Sequence, residues 1–186
     1  MLTQDQFNES QQRITSAWHS GNFQDAFAEI DRVLKEGTDE MKGTALFYRA
    51  MIHESRRDWE QVREDSRSGL KYAAPSTFLR YQLEHAIGAA YNKQAFSEKA
   101  NQWFTKALQT CAEGDDFSGH KTLAALMKLA NEESLQMDQA LMATVAAKSW
   151  RVLEVPGEPD LADIRGTVHK LCEQFSKTVE EISGSN

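Results

Sequence analysis

Ala95-Phe96-Ser97-Glu98-Lys99-Ala100-Asn101 joins one helical pattern to the next and opens the second. Junctions of the same kind stand at Arg57-Asp58-Trp59-Glu60-Gln61-Val62-Arg63 and at Gly21-Asn22-Phe23-Gln24-Asp25-Ala26-Phe27, 38 and then 36 residues further upstream. Beyond each junction small and apolar residues recur at helical steps: Ala100-Phe104-Ala107-Leu108, Val62-Ser66-Gly69-Leu70 and Ala26-Ile30-Val33-Leu34. Three copies in one register describe a two-helix unit that is repeated, and such units stack so that each buries its apolar face on the next.

The third copy carries the fullest pattern. Ile87-Gly88 followed by Tyr91 lies in its first helix, and Ala100, Phe104 and Ala107 lie in its second. This pattern resembles the tetratricopeptide (TPR) repeat, a helix-turn-helix unit with a period of about 34 residues. The second copy keeps a small residue, Ala50, where the third has Gly88, but departs at Ser66 and Gly69. The first copy has Ile14 at the small-residue position, a bulk expected to push its first helix outward or to mark an N-terminal end unit. The resemblance covers residues 7–110. It implies an all-α fold: a TPR-like right-handed superhelical array of antiparallel helix pairs, used for binding rather than chemistry.

Helical patterns run over about 4–20, 22–36, 40–56, 58–73, 76–94, 97–112, 118–135, 138–154 and 160–182. Pro75 ends one pattern at Ala74, and Ser76 caps the next. Asp138 is a candidate N-cap after a turn at Gln136-Met137. The pair 118–135 and 138–154 keeps helical spacing without the repeat signature, as terminal units do. Residues 1–155 therefore form the repeat domain. Pro156-Gly157-Glu158-Pro159 is a linker, and 183–186 a frayed tail. Between them, 160–182 places Leu161, Ile164, Val168, Leu171, Phe175 and Ile182 on one stripe, the mark of a C-terminal capping helix, of a homodimer contact or of a helix that occupies the groove until a partner displaces it.

Composition narrows the classes. The chain has 186 residues, 40% of them hydrophobic, with three prolines and ten glycines, so long helices around a core are expected. Strand and hairpin signals are absent. No apolar stretch reaches the ~18 residues of a membrane span, and the start is polar and acidic, unlike a signal peptide. Cys111 and Cys172 stand alone without metal or redox spacing. A cytoplasmic protein with no membrane insertion is expected. The net charge of −7 disfavours nucleic acid.

No chemistry-bearing motif stands out. A glycine-rich phosphate loop, a Gly-x-Ser-x-Gly elbow and a His-Glu-x-x-His pair are all missing, so neither an enzyme nor a cofactor is expected. His19, His53 and His85 sit near equivalent places in the three first helices, but lack the further ligands that a metal site needs.

In the TPR family the first helix of each pair faces inward. That register puts Gln11, Thr15, Trp18 and His19 on the inner face, then Phe47, Tyr48, Met51 and Ser55, then His85, Ala89, Asn92 and Lys93. Some TPR domains clamp a partner's C-terminal carboxylate with Lys and Asn there. Gln11 and Thr15 occupy matching positions, so that function is not carried over. An aromatic groove of Trp18, Phe47, Tyr48 and Met51 is expected instead, since such residues are enriched in interfaces. Arg63, Arg67 and Lys71 form a basic ridge at i, i+4 and i+8. It is either paired with Glu60 and Glu64 or offered to an acidic partner. The resulting expectation is a protein-binding adaptor or chaperone that holds a helix or peptide. An immunity protein capping a toxin and a peptide-sensing regulator are the alternatives.

Overall fold

A computed structural model describes residues 1–73, 76–114, 119–133, 135 and 137–153. The expected linker, C-terminal helix and tail lie outside the described residues. Within them the fold is an all-α array of eight helices: α1 (Gln4–His19), α2 (Phe23–Glu36), α3 (Asp39–Ser55), α4 (Trp59–Leu70), α5 (Thr77–Lys93), α6 (Ser97–Glu113), α7 (His120–Glu133) and α8 (Gln139–Leu153). They form four consecutive pairs, here units one to four. Each helix packs on the next in chain order, and α1, α3, α5 and α7 also touch one another in sequence. The first helices thus form one continuous layer.

Local chemistry sets the boundaries. Thr3 caps α1 in a capping box with Gln6, and Asn22, Thr38, Asp58 and Ser76 each accept a backbone N–H three residues on. Asp138 does the same for Leu141 at the start of α8. These caps satisfy backbone donors that the helix itself leaves unpaired.

The three sequence junctions prove to be one turn built three times. Gly21, Arg57 and Ala95 all adopt positive φ, at 76°, 61° and 60°. In each turn the next residue's N–H reaches back five residues: Asn22 to Ala17 O, Asp58 to His53 O, Phe96 to Tyr91 O. A left-handed residue followed by this back-bond closes the helix and reverses the chain. In unit four the bond recurs from Leu135 to Ala130 O, but α8 begins only at Gln139, so that turn is longer.

The core runs along the interior of the array. Ile14, Ala26, Ile30 and Val33 are fully buried in unit one. Ile14 lies inside the first core together with Ile30. In unit three Gly88 is the close-approach site: a Cβ there would stand 2.6 Å from the Phe104 ring. Ala100, Phe104, Ala107 and Leu108 join Leu123, Leu126, Met142 and Val145 in one cluster that ties unit four to unit three.

Candidate functional site: clefts on the layer of first helices

Two clefts open on the layer of first helices. One, of about 480 Å³, lies among α3, α5 and the start of α7. Phe47, Met51, Phe78, Tyr81, His85 and Ala89 line it, with Glu54 and Lys121 supplying charge. Phe78 is 49% exposed, so a large apolar ring faces outward beside the cleft. The other, of about 540 Å³, is shallower, bounded by Gln11, Thr15 and His19 of α1 and by Tyr48 of α3.

The first cleft has a polar flank. His85 Nδ1 is 2.7 Å from Thr122 Oγ1, and that hydroxyl donates to the Tyr81 hydroxyl at 3.0 Å. The role of the His85 ring in the first of these bonds is set by its tautomer. The ring lies against Phe104, with centroids 5.6 Å apart. Burial, and then the charges of Lys121 and His120, hold its pKa down to about 4. His85 is therefore neutral near neutral pH. Burial also pushes the Glu54 carboxyl up, with Lys93 opposing it.

The inner-face residues expected from the sequence divide between the clefts. Phe47, Met51 and His85 come together in the first, and Gln11, Thr15 and Tyr48 in the second. Trp18, Asn92 and Lys93 line neither. Trp18 packs on the unit-one core, with its indole N–H on Ser55 Oγ at 3.3 Å. Phe47 and Tyr48 are half-buried, each with one side on a core cluster. Phe78, Tyr81 and Gln82 were missed, although they stand one to two turns before His85 on the same helical face. Extending the α5 register toward its N-terminus would have found them.

The histidines do not share a register. Turn spacing sets His53 level with Tyr91, and His85 level with Phe47. His53 instead faces Asp65 and Asp58, at 3.7 and 3.6 Å.

The ridge glutamates do not pair with the ridge arginines. Arg63 donates to Gln94 and Arg67 to the Tyr91 hydroxyl, while Glu64 accepts from Gln61. Lys71, at the C-cap of α4, is exposed.

A different ionic feature repeats. Arg13 pairs with Glu29 at 3.0 Å in unit one, and Arg49 with Asp65 at 2.6 Å in unit two. Both pairs join residues 16 apart, and they stand one 36-residue period from each other. Unit three places Ile87 and Trp103 at these positions. Glu29 also accepts from Arg32 at 3.1 Å. Burial raises its pKa, but hydrogen bonds from Arg32, Arg13 and Ser10 outweigh this and bring it down to about 2. Arg49 reaches Asp31 of α2 at 3.6 Å, so this network spans units one and two.

Among the described residues no helix is long and apolar enough to cross a membrane. No group of three or more histidine, cysteine or carboxylate side chains placed to hold a metal occurs among them. No protein-family model matches the chain, and no curated protein sequence matches it significantly.

Proposed function

We propose that the chain is a TPR-type interaction module, an adaptor or chaperone that holds an apolar helix or extended peptide against its first-helix layer. The observation that carries this reading is the 480 Å³ cleft with Phe47, Met51 and the exposed Phe78 on one continuous face. Stacked helix pairs joined by one recurring turn support the repeat assignment. An amphipathic helix laid in such a groove would place an aromatic or aliphatic anchor among these three residues. The neutral His85 and the Tyr81 hydroxyl would offer it polar contacts. Desolvated apolar anchors of this kind dominate binding energies.

The test is capture of partners by the immobilised protein, identified by mass spectrometry, followed by titration of the purified partner. Met51→Glu/Phe78→Glu places charge in the cleft at positions that are half-buried and exposed, so the fold should survive. The expected result is loss of the partner with an unchanged circular dichroism spectrum. Retention of the same partner at wild-type affinity would exclude this cleft as the binding site.

A further inference from the structure

Tyr91, near the end of α5, is surrounded by cations. The guanidinium carbon of Arg63 lies 4.9 Å from the ring centroid, that of Arg67 5.8 Å, and Lys99 Nζ 5.5 Å. Lys99 also lies 5.4 Å from the centroid of Phe96, whose ring is 49% exposed. Arg63 and Arg67 come from α4 and Lys99 from the first turn of α6, so the cluster bridges units two and three.

These charges are held but not neutralised. The acceptors that fix Arg63 and Arg67 are an amide and a phenol, both neutral. Among the described residues none of the three cations joins an ion pair, whereas Arg13, Arg32, Lys42, Arg49 and Lys128 all do. The chain has 28 acidic against 21 basic side chains, so carboxylates were not in short supply. Glu60, Glu64 and Glu98 stand on the same helices and are exposed, yet none closes on the cluster. Cations gathered over one ring gain from its π face but repel one another. An incoming carboxylate would relieve that repulsion and accept charge-assisted hydrogen bonds from heads already fixed in place.

We infer that this cluster is a second contact surface, distinct from the inner clefts, and that it takes an acidic peptide segment. Carboxylates accept from the exposed Arg67 and Lys99, while an apolar neighbour in the same segment covers Phe96. Lys99, distant in sequence from the ridge, contributes where Lys71 does not. Nucleic acid fits less well, because the chain's overall charge repels a phosphate backbone.

A labelled (Glu-Glu-Leu)4 peptide, followed by fluorescence anisotropy, tests this on the full chain. Binding should weaken as salt rises. Arg67→Gln/Lys99→Gln should weaken it by about tenfold or more. Lys128→Gln, which removes an exposed cation of α7, should change it less than about twofold. Met51→Glu/Phe78→Glu should leave it unchanged, since the two surfaces are separate. If the double variant melts early, Lys99→Gln alone must still weaken binding by about threefold. Wild-type affinity in these cluster variants would overturn the inference. So would equal binding of (Lys-Lys-Leu)4, or loss of binding in the cleft variant.

Discussion

Units two and three share a backbone plan but fill it differently. In unit three a glycine meets an aromatic ring: Gly88 leaves the space that Phe104 occupies. Unit two has Ala50 and Ser66 at the equivalent places, both fully buried and both small. Its interior is completed from elsewhere. Leu83 of α5 comes against Gly69, where a Cβ would meet it at 3.0 Å. The Arg49–Asp65 pair bridges α3 and α4 where unit three has Ile87 and Trp103. A unit can therefore hold small residues where its neighbour holds an aromatic ring and keep the same two-helix plan, with the next unit and an ion pair supplying contacts. Leu83 thereby ties unit two to unit three.

The largest effect expected from this contrast is at its apolar end. Phe104→Ala should cost about 3–5 kcal/mol in a denaturant melt, because it empties the space beside Gly88. Ser66→Ala at the equivalent position should instead be neutral or stabilising by up to about 1 kcal/mol. The Ser66 hydroxyl is buried with no hydrogen-bond partner among the described residues. Equal losses at both sites would mean that the two units are filled alike.

The ion pair of unit two comes next. Arg49→Leu leaves the Asp65 carboxylate, only 5% exposed, facing the His53 imidazole, whose pKa burial lowers. It should cost about 2–3 kcal/mol, the partial exposure of Arg49 placing it below a fully buried case. Arg49→Leu/Asp65→Leu should recover part of that loss, because apolar side chains pack without a charge left behind. A double variant as unstable as the sum of the single ones would show that the two residues act independently.

The histidines give the contrast in pH. His85 has a folded pKa of about 4 against an ordinary 6.5. Between those values the unfolded chain binds the extra proton, so stability falls as pH drops from about 6.5 toward 4. Burial also lowers the pKa of His53, but Asp65 and Asp58 oppose it. His85→Gln should therefore remove more of the acid sensitivity of the melt in this window than His53→Gln, by about 1–2 kcal/mol. The reverse order would place the less tolerant imidazole in unit two.

The smallest effect tests what the units share. Arg57 and Ala95 hold positive φ, a region that glycine enters freely and other residues enter at a cost. Arg57→Gly and Ala95→Gly should each stabilise by about 0.5–1 kcal/mol, and Gly21→Ala should destabilise by a similar amount. Melting midpoints moving the other way would contradict the turn geometry.

The local architecture was legible in the sequence. Eight of the expected helices match the described ones to within a few residues, because caps and turns are interactions over three to five positions: Ser76 with Leu79, Asp138 with Leu141, Phe96 with Tyr91. Gly88 was readable as a close-packing site because its place in the repeat fixes its neighbour. Tertiary structure alone decided the rest. Trp18 packs on the unit-one core and lines neither cleft, and Phe78 lines the first cleft instead. Arg63 and Arg67 reach past Glu60 and Glu64 to Gln94 and Tyr91, contacts 31 and 24 residues away in the chain. The Arg13–Glu29 and Arg49–Asp65 pairs span 16 residues between facing helices. A helical period says which residues share a face. Which of them meet across two helices depends on how the whole array packs, and long charged and aromatic side chains have enough reach to choose among several neighbours.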